Sequence, residues 1–208
     1  MANVIEDGEK LDLLLARQPV YNKSQDVVAY LLLYRNNDPD NKDKINDHLA
    51  TSSVILNTYA SICEEGEVRS LPCYIKLTDK TLLSPDFPEL PKESFVLEIL
   101  GHSEITPEFV TRVKMLTQQG YRIALSDYEP DDRFEPLLNL VHILKLDVQK
   151  LGIASMTSIV KNLRPYNLEL LADKIETKDE FRQCHELGFT LFQGYFLSKP
   201  EPLKGKKL

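Results

Sequence analysis

The sequence lacks any apolar run close to the roughly 20 residues that a helix needs to cross a bilayer. Its N-terminus, MANVIEDGEK, is too acidic and polar for a secretory signal. The three cysteines, Cys63, Cys73 and Cys184, have neither CxxC nor metal-ligand spacing, which is typical of buried or incidental thiols in a reducing compartment. Internal repeats and low-complexity segments are also absent. Together these absences predict a cytoplasmic protein that does not enter a membrane.

Positive charge is scarce, because the chain has 25 Lys and Arg against 32 Asp and Glu, which gives a net charge of −7. This balance argues against broad binding to nucleic acid or to an anionic membrane, but it allows a local cationic pocket. The chain has 208 residues, 42% hydrophobic and 27% charged, which are ordinary values for a globular protein. A chain of this length predicts a single domain with one sizeable core.

One segment, VVAYLLLYR at residues 27–35, is almost entirely apolar and ends in a guanidinium. Such a run predicts a strand buried on both faces. Residues 11–20 predict a preceding strand, and the turn-forming residues 22–24 between the two predict an antiparallel hairpin. Taken alone, Arg35 could simply begin the polar loop that follows.

Further along, predicted strands alternate with predicted helices. Apolar residues at spacings of three and four indicate a helix over residues 43–65, and Thr106 and Thr177 resemble helix N-caps. This alternation predicts an α/β fold, a TIM-like (β/α)8 barrel with an antiparallel first strand pair. The predicted strands are 73–77, 94–100, 121–127, 142–148, 168–175 and 191–197, and the predicted helices are 79–83, 106–119, 132–140, 155–163 and 178–187.

Polar side chains recur at the ends of the predicted strands. Because the carboxyl ends of barrel strands meet around one pocket, we expect these side chains to lie together. Any one of them could instead form a structural ion pair, since a charge in an apolar strand must be compensated. Cations beside carboxylates suit a phosphate ligand, with or without a divalent metal. The residues are Gln18, Arg35, Lys76, Glu98, Asp127, Lys145, Asp147, Glu176 and Gln193.

Seven short motifs occur in the order found in EAL domains, the bacterial phosphodiesterases that hydrolyse cyclic di-GMP. The resemblance spans residues 13–200 and is nearest to the EAL half of EAL–HDOD signalling proteins. Residues 1–202 are therefore expected to form a degenerate EAL domain, and residues 203–208 to begin a linker to a C-terminal HDOD-like domain. The motifs are RQPV at 17–20, AYLLLYR at 29–35, VLEIL at 96–100, IALSDY at 123–128, LKLD at 144–147, ADKIET at 172–177 and QGYFLSKP at 193–200.

The resemblance implies a two-metal hydrolase in which carboxylates and an Asn bind two divalent ions. At three of those ligand positions this sequence has Leu31, Lys76 and Ser126, and Gly101 replaces a further Glu of the family pattern. Leucine cannot bind a metal, and an ammonium repels one. We therefore expect no Mg²⁺ or Mn²⁺ cofactor and no enzymatic activity. The vestigial catalytic residues are Glu98, Asp127, Lys145, Asp147 and Glu176.

Two functions stay open, and weak phosphodiesterase activity is a remote third. The favoured hypothesis is an inactive signalling domain that acts through protein–protein interaction, with partner and oligomeric state undetermined. The alternative is a metal-free receptor of cyclic di-GMP, in which Lys76 takes the place of metal; a Lys76–Glu98 ion pair is the rival explanation of that lysine. Asp147 could pair with Lys145 or orient it. The expected ligand contacts are Gln18, Arg35, Lys76, Lys145, Glu176 and Gln193.

Overall fold

The computed structural model describes the backbone of residues 13–36 and 71–202 and the side chains of residues 16–33 and 71–202. The predicted helix over residues 43–65, Cys63 and the predicted linker over residues 203–208 lie outside this part. The strands are β1 Leu13–Tyr21, β2 Val27–Asn36, β3 Cys73–Lys76, β4 Phe95–Leu100, β5 Arg122–Ser126, β6 Ile143–Asp147, β7 Glu169–Asp173, β8 Leu191–Phe192 and β9 Glu201–Pro202. The helices are α1 Asp79–Leu83, α2 Pro107–Gln118, α3 Glu135–Leu138, α4 Val148–Leu163 and α5 Lys178–Leu187, with a 3-10 turn at Asp132–Phe134.

The strands β1 to β8 form a closed barrel. Strands β2 to β8 are parallel and lie side by side in chain order. Strand β1 closes the sheet by pairing antiparallel with both β2 and β8, and it places Gln18 opposite Leu31. The predicted barrel and its antiparallel first strand pair are therefore confirmed.

The barrel interior has an apolar part and a polar part. An inner apolar cluster is formed by Val20, Ala29, Leu31, Tyr74, Val96, Ala124, Ile143, Leu171 and Leu191. Because side chains two residues apart on a strand share a face, the next inward positions toward the barrel mouth also face the interior. We call these residues the polar layer: Gln18, Lys76, Glu98, Ser126, Lys145, Asp173 and Gln193.

The larger apolar cluster lies between the strands and the helices. Thr106 caps α2, and Thr177 caps α5 in a capping box with Glu180, so both predicted caps are confirmed. Cys73 and Cys184 are buried, as expected. None of the described helices has the length and apolar character that a bilayer span requires. The cytoplasmic location stays a prediction.

Two predicted boundaries are wrong, and one strand was not predicted. The predicted strand over residues 191–197 ends at Phe192, because the amides of Leu197 and Ser198 both turn back to the carbonyl of Gly194. The helix predicted from residue 155 begins at Val148 and is kinked at Gly152, whose φ is 69°. Residues 201 and 202, which no predicted strand included, form β9 against β1.

Candidate functional site

Glu98 is the central charge of the polar layer. Its carboxylate is 0% exposed and accepts hydrogen bonds from Lys145 Nζ at 3.2 Å through Oε1 and 3.1 Å through Oε2. Lys76 Nζ lies 3.9 Å from Oε1 of the same carboxylate, and 32% of the Lys76 side chain is exposed. One buried carboxylate therefore has two lysine partners, which come from the strands β6 and β3.

Lys145 is enclosed by its partners. It is 2% exposed, its ammonium lies 3.6 Å from Asp173 Oδ2, and it lies 6.0 Å from the centre of the Tyr74 ring. Burial acts to lower the pKa of Lys145, but the charges of Glu98 and Asp173 outweigh burial and hold that pKa above its ordinary value. The ammonium is therefore charged at neutral pH and already engaged by two carboxylates.

Asp147 is paired with a lysine that the sequence did not single out. Its Oδ2 accepts a 2.6 Å hydrogen bond from Lys174 Nζ, and its Oδ1 caps α4 by accepting from the amide of Lys150 at 3.0 Å. Burial raises the pKa of Asp147, but these hydrogen bonds outweigh burial and leave the pKa below its ordinary value. The structure pairs Asp147 with Lys174, not with Lys145. The only sequence signal for Lys174 is its place within ADKIET, directly after Asp173.

The substituted positions of the site offer little to a cation. Leu31 is 4% exposed and belongs to the inner apolar cluster. Ser126 Oγ donates to the carbonyl of Ile99 at 3.3 Å. A Cβ at Gly101 would overlap the carbonyl oxygen of Asp127, so a side chain there requires the backbone to shift. Within the described residues, no three His, Cys, Asp or Glu side chains converge in a way that could hold a metal ion.

The remaining predicted residues divide between the layer and its rim. Gln18 and Gln193 are buried in the polar layer. The Gln18 amide donates to the carbonyl of Ser198 at 3.1 Å, and neither amide atom of Gln193 has a hydrogen-bond partner among the described residues. Asp127 follows β5 with a φ of 52° and is exposed, as is Glu176. Arg35 lies in β2 opposite Leu14, and its side chain is outside the described part of the chain.

Comparison with known proteins identifies the fold and its relatives. The EAL domain family matches residues 5–200. The chain is 33% identical over 193 residues to the cyclic di-GMP phosphodiesterase CdgJ of Vibrio cholerae, covering 91% of this chain and 45% of CdgJ. It is 32% identical over 201 residues to YuxH of Bacillus subtilis, covering 94% of this chain and 49% of YuxH. The chain thus spans about half the length of these curated relatives.

Solved structures show the same barrel. The Bacillus subtilis protein YkuI, with an EAL domain in complex with substrate cyclic di-GMP and calcium, superposes with a TM-score of 0.75 at 21% identity, covering 94% of this chain and 57% of that chain. Klebsiella pneumoniae BlrP1, in a complex with calcium and cyclic di-GMP, also gives a TM-score of 0.75 at 20% identity, covering 97% and 58%. These likenesses confirm that the barrel is of the EAL type.

Proposed function

The chain belongs to the EAL domain family, and we propose that it is a catalytically inactive member that signals by contact with a protein partner. The observation that carries the proposal is the pairing of Glu98 with Lys145 and Lys76 in the polar layer. In this proposal the two ammonium groups take the place of metal, and the barrel is kept as a scaffold.

Electrostatics supports the loss of metal. A divalent ion near Glu98 would lie close to the Lys145 ammonium, which two carboxylates hold in place. At such distances the ammonium repels a cation as strongly as it attracts a carboxylate of equal charge. Asp147 is likewise engaged by Lys174. Leu31 supplies no ligand atom, and the Ser126 hydroxyl already donates to a carbonyl. On this reading, the residues present do not fit a divalent ion.

Loss of the ions would remove the means of activating water. A metal lowers the pKa of bound water and stabilises the charge that develops during attack on phosphorus. Enzymes commonly accelerate their reactions by about 10⁶-fold or more, and most of that factor would vanish with the ions. We therefore derive no hydrolytic step for this chain.

Exposed aromatic residues beside the barrel mouth support a role in protein contact. Tyr195 is 58% exposed and Phe196 is 39% exposed, in the turn that follows β8. The Phe196 ring lies beside the Phe181 ring, which in turn packs against Phe192. Aromatic side chains are enriched at protein interfaces and contribute a large share of their binding energy.

The first test is an assay of cyclic di-GMP hydrolysis with Mg²⁺ and with Mn²⁺, read by chromatography of the products. We expect no hydrolysis above the blank and no heat of Mn²⁺ binding in calorimetry, while CdgJ serves as the active control. Metal-dependent formation of the linear dinucleotide would contradict inactivity.

A second test addresses the partner. We expect the chain to form a complex with a protein of the host lysate in the absence of nucleotide. That protein is then purified, and its direct binding to the chain is measured. The double variant Tyr195→Ser, Phe196→Ser should weaken this complex at least tenfold, as expected for loss of interface aromatics. The matched control is Met115→Ser, since Met115 is an apolar residue on α2 that is 45% exposed. Equal weakening by the control would remove the aromatic turn from the interface.

A metal-free receptor of cyclic di-GMP is the second candidate function. It is favoured by the Gln193 amide, which has no hydrogen-bond partner within the described part of the chain, because an unpaired buried amide is costly unless a ligand or water meets it. Lys76 adds a partly exposed cation to the same layer. The test is calorimetric titration of cyclic di-GMP in EDTA and again with Mg²⁺. Micromolar binding in EDTA would make this the leading function, and no heat in either buffer would exclude it.

A further inference from the structure

The segment that leaves the barrel is tied to two consecutive residues of β1. We call residues 198–202 the exit strap. The Gln18 amide donates to the Ser198 carbonyl at 3.1 Å, and Arg17 Nε lies 3.5 Å from Glu201 Oε2. Because neighbouring residues of a strand point to opposite faces, Gln18 holds the strap from the barrel interior and Arg17 holds it from outside.

The other described attachments of the strap are weak. Its pairing with β1 consists of two residue pairs, Ala16 with Pro202 and Arg17 with Glu201. Proline has no amide hydrogen to donate, and the Glu201 side chain is 57% exposed, so its ion pair is screened by water. Gln18 is 8% exposed, and its hydrogen bond is therefore the shielded polar contact of the strap.

Gln18 also belongs to the polar layer. Its side chain faces the barrel interior, as do those of Lys145 and Gln193, and it is one of the residues expected to contact a nucleotide. The side-chain amide is planar, so its nitrogen and oxygen turn together when the group reorients. A ligand that turns the Gln18 amide toward the barrel mouth will therefore break its bond to Ser198.

We infer that Gln18 couples the barrel mouth to the exit strap, so that a ligand bound at Gln18 releases residues 198–202 from β1. This inference rests on the second candidate function, in which the mouth receives cyclic di-GMP. It identifies the exit strap, rather than a catalytic event, as the output of binding.

The experiment measures amide hydrogen exchange in the strap. Two amides report on its attachment to β1, those of Lys199 and Glu201, because Pro200 and Pro202 carry none and the Ser198 amide donates to the Gly194 carbonyl within the preceding turn. In the nucleotide-free chain, Gln18→Ala is expected to speed their exchange about fivefold, as for the net loss of one hydrogen bond. Glu201→Gln, an exposed substitution that leaves the interior untouched, is expected to speed it about twofold.

The matched control is Gln149→Ala. The Gln149 amide also donates to a backbone carbonyl, that of Lys174 at 3.0 Å, but it does so between α4 and the end of β7. Its loss should leave strap exchange unchanged. Strap exchange that is equally slow in wild type, Gln18→Ala and Glu201→Gln overturns the inference, as does equal acceleration in Gln149→Ala.

Measurements with nucleotide distinguish a failure of this inference from a failure of the receptor function. Calorimetry first establishes whether cyclic di-GMP binds; no heat at 1 mM nucleotide, on the order of the weakest affinity of interest, removes the receptor function and the coupling with it. Where nucleotide binds, wild-type strap exchange should rise to the level of Gln18→Ala, and that variant should show no further rise. Binding that leaves strap exchange unchanged overturns the coupling and leaves the receptor function standing.

Discussion

Lys145 donates to both carboxylate oxygens of Glu98, and the two side chains are 2% and 0% exposed. They join β6 to β4 across the interior of the barrel. Charges buried this deeply are costly unless both are paired and hydrogen-bonded. The contact with Asp173 and the approach of Lys76 complete that pairing, so the polar layer is a mutually compensated group of charges.

Removal of Lys145 is therefore expected to destabilise the fold. Among the described residues, Lys145→Met leaves Glu98 buried with only the more distant Lys76 beside it. Breaking a buried ion pair in this way costs about 3–5 kcal/mol. The measurement is the free energy of unfolding in guanidinium chloride. Lys150→Met is the control, because Lys150 and its partner Glu129 are both exposed, at 55% and 51%, and the loss of this ion pair should have little effect on stability.

The double variant Glu98→Leu, Lys145→Met tests whether the unpaired charge of Glu98 causes the loss of stability in Lys145→Met. Replacing both partners by apolar groups removes the unpaired charge, so most of the stability lost in Lys145→Met should return. A double variant no more stable than Lys145→Met would show that the charge of Glu98 is not what the lysine compensates.

Gly101 provides a steric prediction. A Cβ there would overlap the Asp127 carbonyl oxygen and lie 2.8 Å from that of Ser126. Gly101→Ala should therefore lower the free energy of unfolding by about 1–3 kcal/mol, as for overpacking elsewhere. Gly188→Ala is the comparison, since its Cβ would enter open space and only its φ of 102° opposes the change, at a cost of about 1 kcal/mol. A variant at residue 101 that is as stable as wild type would contradict the close approach.

The barrel could be predicted from the sequence because its signals are local. Apolar runs and the caps Thr106 and Thr177 each act within a few residues, and the alternation of strand and helix signals specifies parallel βα units. The strand predicted over residues 191–197 failed because a turn around Gly194 has the same apolar composition as a strand. Composition alone does not distinguish the two.

The partners within the site were harder to predict, because they are distant in sequence. Lys174 reaches Asp147 across 27 residues, and Gln18 reaches Ser198 across 180. Strand ends indicate which side chains share the mouth, but not which ammonium meets which carboxylate. The sequence proposed Lys76 as the partner of Glu98, and the structure adds Lys145 at shorter range.

His142 gives a prediction about pH. Its Nδ1 accepts a hydrogen bond from the amide of Ile123 at 3.2 Å, which requires the neutral ring. Burial, and then the charge of Arg122, lower the pKa of His142 below its ordinary value of 6.5. The unfolded chain therefore binds more protons than the folded one between the lowered pKa and 6.5, so the stability contributed is present above that window and is lost as pH falls through it.

The measurement is the thermal midpoint from about pH 8 to about pH 5 in wild type and in His142→Asn. Asparagine keeps an acceptor for the Ile123 amide and does not titrate. We expect the wild type to lose stability relative to the variant on the acid side. Parallel curves for the two proteins would show that His142 contributes nothing to the acid dependence.

Lys76 separates the two explanations of the polar layer. If it serves mainly as a second counter-ion of Glu98, Lys76→Ala should cost about 1 kcal/mol of stability or less, because Lys145 keeps both of its hydrogen bonds to that carboxylate and Lys76 is partly exposed. We expect this small loss, and no change in any heat measured with cyclic di-GMP in EDTA. If Lys76 instead holds a phosphate, the same variant should lose about tenfold or more in affinity, the range for a hydrogen bond to a charged group. Lys76→Arg then distinguishes charge from shape, since a retained cation preserves the ion pair with Glu98 but presents a broader, planar group to a phosphate.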